Sequence, residues 1–249
     1  MPELPVLYQD SRLAVVDKPA RLMVHDSALA RGETDFAADR LRAQFGRPVF
    51  LLHRLDRATS GCLMLAFDRE SAAAMGRRLM ERSVEKVYLA VCRGWPEADG
   101  LIDHPLDGGP GKPQKKPAQT AYQVLARGEL PEPSGGFPTS RFALLRCAPL
   151  SGRFRQIRRH LKHIHHHLIG DTSHGDGQRN RLFRMRGVQR MLLHAAELAW
   201  QDAAGRTTRV RAPLDAEFRR ALDLFGWAPD RLLATESPAD TAVRPADRQ

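Results

Sequence analysis

Residues 53–61 read HRLDRATSG, and they set one carboxylate, Asp56, between the guanidinium groups of Arg54 and Arg57. The apolar run Val49, Phe50, Leu51, Leu52 precedes this stretch, and Cys62, Leu63, Met64, Leu65, Ala66, Phe67 follow it. Two such runs joined by turn-forming residues predict a loop between two buried strands. Working outward, further strands are predicted at 6–8, 13–17, 86–93, 121–126, 141–148, 191–200 and 207–211. Helices are predicted at 34–45, 69–82 and 215–225, the second opened by Asp68 as an N-cap. Strands that follow one another without regular helical crossovers point to an α+β fold, with a largely antiparallel mixed sheet and flanking helices rather than a doubly wound one.

An acid held at strand ends beside guanidinium groups stays ionised at neutral pH and serves as a nucleophile or base. The same residue types also suit a plain turn in which Asp56 caps the amides of Thr59 and Ser60 and pairs with Arg54. Composition narrows the partner. Thirty-nine Lys and Arg against 29 Asp and Glu leave a net charge of +10, which favours a polyanion such as nucleic acid. Three widely spaced cysteines, Cys62, Cys92 and Cys147, lie in apolar runs and read as reduced core thiols of a cytoplasmic protein. No apolar run approaches membrane-spanning length, and no signal pattern opens the chain. Residues 229–249 are too polar to pack and are expected to be a disordered tail after one domain spanning 1–228. Segments 108–119 and 128–138, rich in Gly and Pro, are expected to be flexible insertions, the first carrying Lys112, Lys115 and Lys116.

HRLDRATSG resembles the HRLDxxTSG signature of the RluA-type pseudouridine synthases, in which the aspartate is catalytic. VEKVYLAVCRGW, residues 84–95, is similar to the family's second motif, with Tyr88 as its tyrosine. SGRFRQIRRHL, residues 151–161, is similar to the third, with Arg158 as its basic residue. The likeness runs from about Val6 to Trp227. Within the family, IGDTSHGDGQRNR, residues 169–181, looks like the C branch of the tRNA pseudouridine synthases, as does the lack of an additional N-terminal RNA-binding domain. The third motif departs from the usual pattern at Arg155, where histidine is common, and His167 stands where proline is common before the IGD.

The resemblance implies a pseudouridine synthase core with an active-site cleft across the sheet, and a tRNA substrate with uridine 65 as target. The reaction breaks the N1–C1′ bond, turns the detached uracil, joins C5 to C1′ and removes the C5 proton. Substrate and product are isomers, so no cofactor or metal is expected. Asp56, Tyr88 and Arg158 are the expected catalytic set: the acid beside the ribose, the flat surface and proton relay for the base, and the cation that keeps the acid charged. Tyr88 shares a strand face with Lys86, Ala90 and Cys92, which on residue type alone also fits ordinary packing. Arg54 is a candidate wedge for the space a flipped base vacates. Arg155, Arg158, Arg159 and Lys162 fall on one face of a helix whose other face carries Ile157, Leu161 and Ile164. With Arg57, Lys112, Lys115 and Lys116, the first and last two of that face are the RNA-contact candidates. His160, His163, His165, His166, His167 and His174 lack acidic or cysteine partners at ligand spacing and are expected to pack or touch RNA. The alternatives are a ribosomal RNA synthase of the same family, a non-catalytic RNA-binding protein and a metal-dependent hydrolase. No membrane and no obligate protein partner are expected.

Overall fold

The computed structural model describes residues 2–26, 32, 34–133, 136–202 and 205–228. The tail expected at 229–249 lies outside them. Ten strands form one sheet: β1 (Val6–Gln9), β2 (Leu13–Lys18), β3 (Phe50–Leu51), β4 (Ser60–Ala66), β5 (Glu85–Arg93), β6 (Asp99–Asp103), β9 (Gln119–Leu130), β10 (Ser140–Pro149), β11 (Leu193–Gln201) and β12 (Thr207–Arg211). Two short strands, β7 (Leu106–Asp107) and β8 (Lys115–Lys116), pair in a separate hairpin. Sheet order is β1-β2-β4-β11-β5-β10-β9-β6, with β12 beside β11 and β3 beside β4. Among the strand pairs, β4 with β11 is parallel and the rest are antiparallel. The expected mixed, largely antiparallel sheet is therefore present.

Helices α1 (Ala37–Phe45), α2 (Arg69–Met80), α3 (Gln156–His163), α4 (Gly177–Met185) and α5 (Ala216–Asp223) flank it. Asp68, Asp176 and Asp215 accept first-turn amide hydrogens of α2, α4 and α5, satisfying donors that a helix start leaves free. Leu89, Val91, Phe142 and Leu144 pack against Phe183 of α4 and Phe218 and Leu222 of α5. Ala90, Cys92, Leu145 and Cys147 pack against Ile157 and Leu161 of α3. The two parities of β5 thus enter different cores, as its alternation predicts. All three cysteines are buried free thiols. No helix among the described residues is long and apolar enough to cross a membrane.

Several expected boundaries move. The strand expected at 121–126 is the twelve-residue β9, so the insertion expected at 128–138 begins inside a β9–β10 hairpin. Gly128 belongs there for space: a Cβ on it would stand 2.5 Å from the Phe225 ring. The insertion expected at 108–119 is the β7–β8 hairpin, tied down by Arg159 on Asp107. α4 and β6 were not predicted, because α4 buries only Asn180, Leu182 and Phe183 and β6 is mostly exposed. Gly61 shows why TSG ends the opening motif. Its φ is +106°, and a Cβ there would lie 2.2 Å from the Ala195 oxygen, so only glycine lets β4 run alongside β11.

Candidate active site

The loop from β3 to β4 is held from several sides. His53 Nε2 accepts the Met64 amide hydrogen at 3.0 Å. Burial, with the Lys86 charge adding to it, pushes His53 down to about 4, so the ring is neutral and able to accept. The Thr59 amide donates to the Asp56 carbonyl at 3.0 Å. Beneath the loop, fully buried Lys18 donates from Nζ to the carbonyls of Pro19 and Leu22, each at 2.8 Å, and of Arg57 at 3.4 Å. Burial and the Arg190 charge push this lysine down to about 7, while Asp56 and Asp17 oppose the change. At the loop's end, Ser60 Oγ donates to His194 Nδ1 at 2.7 Å and accepts from Arg190 Nη2 at 2.8 Å.

These contacts leave the Asp56 carboxylate at a cleft of about 1110 Å³. Arg158 Nη1 donates to Asp56 Oδ2 at 2.7 Å, with 7% of the arginine side chain exposed against 22% of the aspartate's. Asp56 is thus paired across the fold, and the turn-cap alternative, with Arg54 as its partner, is not what the carboxylate does. Arg158 turns its other edge to Asp171, Nε to Oδ2 at 2.6 Å and Nη2 to Oδ1 at 2.8 Å. Asp171 Oδ1 also accepts the Ser173 and His174 amides at 2.8 and 2.9 Å. Burial alone would raise the Asp171 carboxyl, but these bonds outweigh it and hold the carboxyl below its usual range. Burial likewise works against the Arg158 charge, and the bonds to Asp171 and Asp56 more than restore it.

Gln156 sets the approach to α3. Its oxygen accepts from Ser151 Oγ and the Arg153 amide, and its nitrogen donates to the Gln119 carbonyl and Thr120 Oγ1. Tyr88 lines the same cleft from β5, and its hydroxyl has no protein hydrogen-bond partner among the described residues. Burial first, then the Asp56 charge, raises the phenol well above its usual value, so it is a neutral hydroxyl.

The structure brings Asp56, Tyr88 and Arg158 together, and the RNA-contact candidates divide. Arg54, Lys112, Lys116 and Arg155 line the cleft. Arg57, Lys115, Arg159 and Lys162 do not. The expected four-residue basic face of α3 is therefore broken up: Arg155 precedes the helix in a left-handed conformation, Arg158 is buried, and Arg159 pairs with Asp107 at 2.6 Å. Three of the histidines hold backbone carbonyls. His160 bonds Thr120 Oγ1 and the His104 carbonyl, His166 the Arg93 carbonyl and His167 the His174 carbonyl, while His163 stacks on His104. Among the described residues no group of three or more His, Cys, Asp or Glu is placed to hold a metal. Sequence reasoning missed Lys18 and Asp171 as supports. Both lie in stretches noted for likeness, but only the fold shows what they touch.

Residues 12–163 match the RNA pseudouridylate synthase family. The chain is 42% identical over 241 residues to the tRNA pseudouridine synthase C of Vibrio cholerae, covering 92% of this chain and 99% of that one. It is 40% identical to the protein of that name from Haemophilus ducreyi, covering 90% and 97%. The solved human RNA pseudouridylate synthase domain containing 1 superposes with a TM-score of 0.67 and 27% identity, covering 95% of this chain and 97% of that one. Likeness at this level, over nearly the whole length of each relative, leaves one assignment: the chain belongs to the RNA pseudouridylate synthase family and is an isomerase acting on RNA.

Proposed function

We propose that the protein converts uridine 65 of transfer RNA to pseudouridine, with Asp56 as the group that acts on the ribose. The observation that carries this reading is the Arg158 bridge, which sets a charged, half-buried carboxylate at the cleft. Asp56 Oδ1 takes no protein donor among the described residues, so one oxygen is free for the substrate while the other is held. Attack on C1′ and removal of the 2′ proton both begin from that ionised form. The N1–C1′ bond breaks as Asp56 bonds to C1′ or takes the 2′ proton, the uracil turns against Tyr88, and C5 bonds to C1′ as the carboxylate leaves C1′ or returns the proton to C2′. The C5 proton then passes through the Tyr88 hydroxyl to solvent while N1 takes up a proton, so the product is an isomer of the substrate. The strands β5 and β11, which bring Tyr88 and buried Leu193 to the cleft, keep water from the detached base. Arg54, exposed at the cleft, fills the space left by the flipped uridine.

The tRNA substrate is supported by the names of the relatives and by segment 169–181. That segment serves the site indirectly: Asp176 caps α4 and pairs with Arg93, and Asn180 bonds the Gly170 amide and the Asp171 carbonyl. A paired target in a folded RNA is recognised through backbone and 2′-hydroxyls, which suits a basic cleft. Reduced thiols and this substrate favour a cytoplasmic protein that works without an obligate partner. The test is tritium release from C5-labelled uridine, with folded tRNA transcripts and ribosomal RNA fragments offered separately. Release from tRNA, abolished when uridine 65 is replaced, is the expected result. Release from ribosomal fragments alone would move the substrate to the ribosomal branch.

A further inference from the structure

The end of α2 forms a wall of the cleft to which no role has been given. α2 packs on β3 and β4 and α3 packs on β9 and β10, while β11 and β5 lie between those pairs in the sheet. The cleft therefore has an α2 side and an α3 side. Its α2 side is lined by Gly76, Leu79, Met80, Arg82 and Lys86. Met80 is 76% exposed, an apolar tip standing in the open beside the two cations of this wall, Arg82 and Lys86.

Arg82 sits where a helix normally ends on glycine. The Ser83 amide donates to the Arg78 carbonyl at 2.9 Å, closing the last turn, and Arg82 takes the left-handed conformation with φ +62°. An L side chain avoids that region, and such strain gathers where function holds it. The other side of the cleft repeats the feature, since Arg155 lines it with φ +50°. Among the described residues neither Arg82 nor Lys86 has an ion-pair partner. Lys86 is pulled below its usual value by burial and by the neighbouring Arg82 charge, a repulsion that a bound anion would relieve.

We propose that Arg82 and Lys86, with Met80 beside them, form a phosphate-contact wall that grips the RNA strand on the α2 side of the cleft. This rests on the reading of the cleft as an RNA site and adds a second line of contact to the hairpin lysines. Two backbones gripped on either side of Asp56 would hold a duplex while one of its bases leaves the stack.

The deciding variant is Arg82→Gly. Glycine takes the left-handed turn without strain, so the thermal midpoint should hold or rise, while affinity for a folded tRNA transcript falls roughly fivefold to tenfold at 0.1 M salt. The slope of log affinity against log salt should shrink by about 0.9 for Arg82→Gly and by about twice that when Lys86→Met is added. Arg42→Ala, which removes an exposed arginine paired with Asp39 on α1, should leave the slope unchanged. An unaltered slope in Arg82→Gly, or a lowered midpoint accompanying its weaker binding, would overturn the proposal. If the wild type modifies ribosomal fragments and not tRNA, the substrate reading fails separately, and the same slopes on the modified fragment still decide the wall.

Discussion

Arg158 touches Asp56 with one nitrogen and Asp171 with two, so the guanidinium is a buried bracket whose free edge is aimed at the cleft carboxylate. Removing the charge it holds tests the chemistry directly. Asp56→Asn keeps shape and loses the ionised oxygen, and turnover should fall by on the order of a thousandfold or more while RNA affinity stays within about threefold. Single-turnover conversion and a filter-binding titration measure the two halves. Substantial conversion by the asparagine variant would remove Asp56 from the chemistry.

The bracket has its own prediction. Asp171→Ala leaves the buried Arg158 edge unpaired, so stability should drop by about 3–5 kcal/mol, and turnover should drop with it as Arg158 loses its orientation. Arg158→Lys keeps a charge but cannot serve two carboxylates as a fork, and should be slower than wild type yet faster than Arg158→Met. Denaturant melts beside single-turnover rates separate folding from positioning. Equal rates for the lysine and methionine variants would show that the charge of residue 158 is irrelevant.

Acid stability should depend on His194. Its Nδ1 accepts from Ser60 while Nε2 donates to the Ala212 carbonyl at 3.2 Å, a neutral ring with both nitrogens in use. Burial pushes it down to about 4, although the Ala212 carbonyl works the other way. The unfolded ring takes up a proton near 6.5 and the folded ring does not until about 4, so the unfolded chain binds more protons between them. Stability should therefore fall as pH is lowered through that interval, by up to about 3 kcal/mol from this residue. Melting curves at stepped pH should show a shallower decline in His194→Gln than in wild type. Parallel declines would assign the acid sensitivity elsewhere.

How much of this could be read from the sequence follows from the range of the interactions. Asp56, Tyr88 and Arg158 stand in motifs, and apolar alternation marked β2, β4, β5 and β10 to within a few residues. The contact that joins Asp56 to Arg158 spans 102 residues, and local pattern does not encode which strands become neighbours. The parallel β4–β11 pairing was invisible for the same reason, although the glycine it requires was in plain view at position 61. Lys18 stands just past the strand expected at 13–17, and only burial turns it into the post beneath the loop. The basic residues near 158 misled because a helical wheel assumes helix from Arg155 onward, and the chain enters α3 through a left-handed residue.

That division of the basic residues makes the hairpin lysines separable. Lys112 and Lys116 line the cleft and Lys115 does not. Alanine at either of the first two should lower the salt slope of RNA binding by about 0.9, and at Lys115 by less. Affinities measured across a salt series distinguish the three. A uniform effect would mean that the hairpin acts as a diffuse charge instead of through individual phosphates.

Tyr88 allows stacking and proton relay to be told apart. Its ring lies in the cleft on the strand that also carries Lys86, and its hydroxyl is neutral and has no protein partner among the described residues. Tyr88→Phe keeps the flat ring and removes only the oxygen, so RNA affinity should stay near wild type while release of the C5 proton slows by roughly a hundredfold. Tyr88→Leu should also lose the surface on which the base rests and weaken binding by about 1–3 kcal/mol. Tritium release from C5 reports the first effect, and a binding titration the second. If the phenylalanine variant released tritium at the wild-type rate, the hydroxyl would have no part in the proton's path, and the role of Tyr88 would reduce to that of a platform for the uracil.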